Sequence, residues 1–417
     1  MRLKRIVLCA VVACGLSMPL ICAEDQNAPN TTDWPTMIAR LQQDLQQQPG
    51  LARIRQQLAI AYNNYGVNLG NEGRWDVAVQ QLQESLRLDE SNAQAKENLS
   101  RIHLNRAHEA YQQHQPQEAL QAVEQALQVN PHLAQAYALR GEIEYDSQKL
   151  KEAKASWEQA LKLDPSQTDI RKRLEQVTQE LPVESDFERV SQASFDIRYQ
   201  EGLESAIGFD VRDVLLQARR EVGSDFAYWP KHRLVVLVYS AESFRKLRQE
   251  TPEWVGGQFD GKIRVPLPSK QLNPQTVKAI LFHEYTHAVI QDIANGKCPT
   301  WLNEGLAEYE GRRQMAGPMV QFLRAHQEGR LTPWKDLSDG FSMALTADAV
   351  SLSYQESYTI AAYLIERYGF WRIRRILKAV GEGQAWDAVL ADEVRLKLKT
   401  LEANWQAWLP EFLQRSS

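Results

Sequence analysis

The chain has 417 residues, 43% hydrophobic and 24% charged, with a formal charge of −5. That length allows two or three domains with substantial cores. The acidic balance, with no basic stretch interleaved with aromatics, argues against a nucleic-acid partner.

The chain opens on a basic Met1-Arg-Leu-Lys-Arg5, followed by an apolar run from Ile6 to Ala23 and then Glu24-Asp25. This order predicts a signal peptide over 1–23, cleaved after Ala23. The mature chain would then carry −8, since Arg2, Lys4 and Arg5 leave a chain of −5. Cleavage predicts export to a bacterial periplasm or secretion. Two alternatives stay open: lipidation at Cys14, after Val11-Val12-Ala13, or retention of the segment as a single membrane anchor. A membrane is a partner only in those two cases. Cys9, Cys14 and Cys22 lie in this segment, so Cys298 alone remains and no internal disulfide is expected.

Residues 24–176 form the first expected domain, and a repeat is visible over 34–165. Ala119, Val123, Ala126 and Pro131 recur as Ala153, Trp157, Ala160 and Pro165, and earlier as Ala78, Leu82, Ser85 and Glu90. A weaker echo is Met37, Leu41, Asp44 and Pro49. The small-large-small spacing resembles tetratricopeptide repeats, whose period is about 34 residues. In two repeats the spacing is longer by about seven residues, two helical turns, which keeps the apolar face in phase. The second helix of each pair keeps its spacing, so the first should be longer. Three repeats and a leading half are expected. They form an all-α superhelix whose concave face would take a peptide or protein partner, or which would act as a spacer.

Residues 177–188, charged and carrying Pro182, read as a linker to a second domain over 189–417. Phe195–Tyr199 alternates like a strand, 205–222 is periodic like a helix, and Arg233–Tyr239 reads as a buried strand. Val255-Gly-Gly-Gln-Phe259 and Lys262-Ile-Arg-Val265 flank Asp260-Gly261, a hairpin signal.

Next comes His283-Glu284-Tyr-Thr-His287 inside an apolar helical run. Residues four apart share a helix face, so both imidazoles can reach one ion, and neutral imidazole suits Zn²⁺. Glu284 is placed to reach a water beside that ion as a general base. Two histidines hydrogen-bonded along a buried helix would be the plain alternative. A catalytic zinc site takes three protein ligands. Outside this motif the C-terminal half holds only His232 and His326, so Glu304, in Thr300-Trp-Leu-Asn303-Glu304-Gly-Leu-Ala307-Glu308, is the expected third. Glu308, one turn later, either orients a ligand histidine or is an exposed helix carboxylate. Cys298 reads as a loop thiol, or as a thiolate able to inhibit the metal.

These two motifs resemble the gluzincin metallopeptidases, the clan of thermolysin, and more narrowly the peptidase MA-like proteins with tetratricopeptide repeats upstream. The resemblance covers roughly 186–413. It implies a multidomain chain, in which the superhelix precedes an α+β thermolysin-like catalytic domain with a helical C-terminal part. It also implies an HExxH zinc metallopeptidase hydrolysing peptide bonds of a peptide or protein substrate, with Zn²⁺ on His283, His287 and Glu304 and Glu284 as base. By position, Gly256, Gly257, Gln258 and Phe259 correspond to the clan's substrate edge strand. A tyrosine donating to the oxyanion corresponds to Tyr354 or Tyr358, in a helix expected from Ser353 to about Tyr368-Gly369. Both tyrosines have packing as the alternative. The Gly-Ala-Met-Glu-Asn motif of aminopeptidases is absent. A closing helical bundle over 382–413 with Trp386, Trp405 and Trp408 completes the expectation. The runner-up function is a repeat-based scaffold whose zinc-binding peptidase-like domain has little or no turnover.

Overall fold

The computed structural model describes residues 33–201, 203, 205–247, 257–267, 274–341 and 345–416. The signal or anchor segment, Val255 and Gly256 lie outside the described residues. The described chain divides into two compact units between Pro182 and Val183.

The first unit is a run of helices: α1 (Trp34–Gln47), α2 (Ala52–Asn71), α3 (Trp75–Leu88), α4 (Ala93–Gln112), α5 (Pro116–Val129), α6 (Ala134–Asp146), α7 (Leu150–Leu163) and α8 (Thr168–Glu184), whose last two residues, Val183 and Glu184, belong to the second unit. They pair as α2/α3, α4/α5 and α6/α7, after a leading α1. The second helices are all 14 residues long, while α2 and α4 have 20 and α6 has 13. The difference of seven residues is two turns, and it falls in the first helix of each pair, as the spacing requires. The repeated triplets are fully buried: Ala78, Leu82, Ser85; Ala119, Val123, Ala126; Ala153, Trp157, Ala160. The leading half departs from this register. Met37 is 43% exposed and Ile38 is the buried residue, so the echo at Met37 is one position out of phase.

The expected linker is also different. Residues 177–184 are the last turns of α8, with Val177 and Glu180 fully buried and Tyr145 donating to Glu180 at 2.7 Å. The segment is charged because a terminal helix shows solvent most of its faces. Pro182 falls in its last turn, and the helix ends two residues later at Glu184.

The second unit opens with β1 (Glu188–Ser191), β2 (Phe195–Tyr199), α9 (Ser205–Phe226), β3 (Leu234–Ser240), α10 (Ala241–Leu247), β4 (Gln258–Phe259) and β5 (Ile263–Leu267). The sheet order is β1-β2-β3-β5-β4, with β2-β3 and β3-β5 parallel and both outer pairs antiparallel. β3 is buried on both faces, which is why it reads as an unbroken apolar run. Leu234, Val236 and Val238 enter the main core, while Val235, Leu237 and Tyr239 pack with Phe244, Val183 and Phe187. The expected hairpin forms, but with three residues between its strands: Gln258 pairs with Arg264 and Phe259 with Ile263, so Lys262 belongs to the loop. Gly261 supplies the left-handed step at φ +95°. Arg264, wholly buried, donates to Glu184 at 2.7 Å and to Asp260 at 3.1 Å, and so pins the loop to the body of the unit.

The rest is helical: α11 (Pro274–Ala294), α12 (Thr300–Gln314), α13 (Val320–Gln327), a 3₁₀ segment (Trp334–Phe341), α14 (Ala347–Tyr368), α15 (Phe370–Gly381), α16 (Trp386–Val394) and α17 (Leu398–Ser416). α14 begins six residues before the expected Ser353, capped by Thr346, whose side chain accepts from Ala349 N. The closing helices are as expected in kind. Trp405 is fully buried, whereas Trp386 and Trp408 only pack against the core's edge. None of the described helices is long and apolar enough to cross a membrane.

Candidate metal centre

α11 is the spine of the site. It is apolar on nearly every side because α9, α12, α15 and the sheet all pack on it. Asn295 (φ +47°) and Gly296 (φ +68°) stop it, with Gly296 N donating back to Gln291 O at 3.0 Å. Five residues later α12 begins, so the two helices form an αα-hairpin. α12 is wedged against α14: a Cβ on Gly305 would stand 2.3 Å from the Ser357 carbonyl oxygen, so only glycine permits the approach. Beneath α12, Trp301 packs on Trp334 (6.0 Å between ring centres) and Trp386 (5.3 Å), and Trp334 on Trp405 (5.9 Å). This aromatic floor fixes the turn that carries Glu304.

The hairpin brings three donors together. His283 Nε2 and His287 Nε2 are 3.1 Å apart, and Glu304 Oε2 is 3.5 Å from each. In a tetrahedral zinc site with bonds of about 2.0–2.1 Å, donor atoms stand about 3.3 Å apart. The two imidazoles and one carboxylate therefore match both the chemistry and the spacing of three corners of such a site. These residues form a group whose ligand atoms all lie within 4.8 Å of one another.

The electrostatics point the same way. Burial works against a charged imidazole, but the neighbouring carboxylates, Glu304 foremost, outweigh it; His283 is raised and His287 reaches about 9. Burial also works against the Glu304 carboxylate, yet the two imidazoles hold it well below the usual range. An ionised, buried carboxylate facing two basic nitrogens is a place where positive charge is stabilised.

The outer partners are specific. His287 Nδ1 lies 3.0 Å from Asn303 Oδ1, an oxygen that only accepts, so Nδ1 carries a proton and Nε2 is the nitrogen turned toward His283 and Glu304. His283 Nδ1 faces Glu308 Oε1 at 3.6 Å. Glu308 thus stands beside His283 and is only partly exposed. Asn303 had no expected role, although its place immediately before Glu304 was on view in the sequence.

Glu284 is buried, and its Oε2 has no hydrogen-bond partner among the described residues. Burial raises its pKa above the carboxylate norm and outweighs the two imidazoles, which act to lower it. It lines a cleft of about 520 Å³ together with Gly257, His283, Glu308, Arg312 and Tyr354. A Cβ at Gly257 would come within 2.6 Å of Glu284 Oε1, so the edge strand passes the carboxylate without a side chain between them. Phe259, on the same strand, stacks near the His287 ring at 6.4 Å. Of the two tyrosines, Tyr354 borders the cleft. Tyr358 lies under the Arg312 guanidinium (4.7 Å) and against Phe412 (6.0 Å). Both sit inside α14, in the helix expected to hold them. Burial pushes the Cys298 thiol up, and the Glu304 charge adds to this, so near neutral pH it is a thiol and a poor metal ligand.

Residues 245–411 match the Peptidase MA superfamily, and residues 104–168 match the tetratricopeptide repeat. Among solved structures, the chain is similar to the first TPR of Spaghetti (RPAP3) bound to the HSP90 peptide SRMEEVD, at 25% identity, 30% of this chain, 94% of that chain and TM-score 0.23. It is also similar to the NMR structure of the first TPR domain of human RPAP3, at 22% identity, 30% and 94% coverage and TM-score 0.22. No curated protein matches the chain.

Proposed function

We propose that the second unit is a gluzincin-type, zinc-dependent peptidase and that the helical repeats recruit its protein substrate or a partner. The observation that carries this is the convergence of His283, His287 and Glu304 at tetrahedral spacing beside the buried carboxylate of Glu284. Zinc, when bound, supplies Lewis-acid polarisation of a peptide carbonyl and acidifies a water molecule. His283, His287 and Glu304 are the residues that would hold it.

The remaining work falls to side chains of this chain. Glu284, with its bare oxygen and raised pKa, takes the proton of the attacking water and returns it to the leaving amine. The backbone of Gly257, Gln258 and Phe259 offers a sheet edge along which an extended substrate lies, and glycine at 257 keeps Glu284 open to it. Tyr354, on the cleft wall, is placed to donate to the developing oxyanion, whereas Tyr358 braces Arg312. We place the protein outside the cytoplasm, as a periplasmic or secreted protein, on the pattern of residues 1–23. An unprocessed chain found only in the cytosolic fraction sinks that part.

The decisive test is cleavage of a diverse peptide library by the zinc-loaded protein and by Glu284→Ala. We expect the variant to lose about 10²–10⁴-fold in rate while still binding zinc. Equal cleavage by both overturns the role of Glu284. Cleavage by neither favours the scaffold reading.

A further inference from the structure

Arg312 is not one of the three ligands or the base, yet it stands in the same cleft and joins more of the site than any other outer residue. Glu304, Glu308 and Arg312 are spaced four apart on α12 and share one face of the helix. Arg312 Nε donates to Glu308 Oε2 at 2.7 Å, and this leaves Oε1 of the same carboxylate for His283 Nδ1 at 3.6 Å. Arg312 Nη1 donates to the Gly317 carbonyl at 2.8 Å, in the segment whose Met315, Gly317 and Pro318 line the cleft. The guanidinium lies over the Tyr358 ring of α14 at 4.7 Å. Only a planar fork bonds two acceptors in different directions while stacking on a ring; a lysine ammonium does not reproduce this.

We infer that Arg312 is the positioning residue of the metal centre. It holds Glu308 in the rotamer that orients His283, and it ties that ligand to the chain segment lining the cleft. Glu308 without Arg312 is a partly exposed glutamate with free rotation, and its grip on His283 is lost with its rotamer. The inference rests on the zinc reading above, and it predicts a coupling that the zinc reading alone does not.

The test is a double-mutant cycle read by zinc affinity of the apo protein in competition with a chromogenic chelator, with no assay of activity. Arg312→Ala and Glu308→Gln should each weaken zinc about tenfold, the size typical of partners that orient a ligand histidine. Because the first acts through the second, the double variant should also fall about tenfold. A hundredfold fall in the double variant, or unchanged affinity in Arg312→Ala, overturns the inference. If Arg312→Ala does not fold, Arg312→Lys replaces it, keeping the charge but not the fork. It should weaken zinc severalfold in the native background and not at all beside Glu308→Gln. Equal effects in both backgrounds mean general loosening and overturn the inference. Zinc binding by the native protein with no effect of Arg312 sinks this inference alone; no zinc binding by the native protein sinks both.

Discussion

The buried carboxylates of the repeat unit and those of the candidate metal centre are held in opposite ways. In the repeat unit the buried carboxylates are each answered by a nearby donor or cation. Glu144 takes Arg140 and Ser156, Glu180 takes Tyr145, and Glu142 faces Arg173. In the second unit Glu304 and Glu308 gather round two imidazoles, and Glu284 keeps an oxygen with no partner among the described residues. Satisfied buried acids are part of packing, since a paired charge has regained most of what desolvation cost it. Convergent and unanswered acids are held at that cost only where the surrounding fold is strong enough, which is the mark of a site rather than of a core.

The largest test of this contrast is to delete one carboxylate from each unit. Glu304→Ala should abolish stoichiometric zinc binding, a loss well beyond the roughly 10–100-fold that outer partners cost. Glu144→Ala should leave zinc binding unchanged. Equilibrium dialysis with metal analysis reads both; retention of zinc by Glu304→Ala breaks the contrast. Next in size is the repeat core itself. Trp157 is fully buried and closes against Tyr145 at 5.5 Å, with its indole N–H on the Ala138 carbonyl. Trp157→Ala should cost about 3–5 kcal/mol, read by urea unfolding of the full chain. A loss under about 1 kcal/mol would mean that the repeat does not pack as its period says.

Glu310 tests the second unit's tolerance of a charge that belongs to no site. It is fully buried beside the half-exposed Arg313, which lies 3.0 Å away, and burial outweighs that partner and raises its pKa from 4.5 to about 8. The folded state therefore binds a proton between pH 4.5 and 8 that the unfolded state has given up. Stability from this group is complete below pH 4.5, falls as pH rises to about 8, and is flat above. Glu310→Gln removes that slope. It should match the native protein near pH 4.5 and exceed it by on the order of a few kcal/mol above pH 8. Urea midpoints at the two pH values decide it, and a variant weaker than the native protein above pH 8 refutes the burial account.

What could be read in advance follows from the same physics. The repeats were legible because each buried triplet recurs at a fixed spacing, and even the two-turn lengthening of α2 and α4 showed as a shift in that spacing. Met37 misled because a single leading helix has no preceding pair to fix its phase. His283, His287, Glu304 and Glu308 could be singled out because a helix places positions four apart on one face, and the structure brings them together, with His283 Nε2 and His287 Nε2 3.1 Å apart and Glu304 Oε2 3.5 Å from each. The end of α8 was not, since a charged segment reads as a linker until its burying partner, Tyr145, is known. Tyr354 and Tyr358 were not separable either: they stand four apart on α14, and only the tertiary fold sets one on the cleft wall and the other beneath Arg312.

The smallest effect sits on Asn303, and it asks whether the centre's order extends past its carboxylates. The Asn303 amide oxygen fixes the His287 tautomer without adding charge, so its removal changes orientation and leaves the cation's electrostatics alone. Asn303→Ala should weaken zinc about tenfold, the low end for an orienting partner. Asn303→Asp, which keeps an acceptor at the same place and adds a negative charge, should bind at least as tightly as the native protein. The ratio between these variants separates two kinds of help. If Ala and Asp bind alike, the contact with His287 does not matter, and the charged residues Glu304 and Glu308 order the site unaided. If Ala alone is weak, a neutral hydrogen bond on the far nitrogen is enough to set a ligand, which is the reverse of the repeat unit, where such bonds only complete the packing.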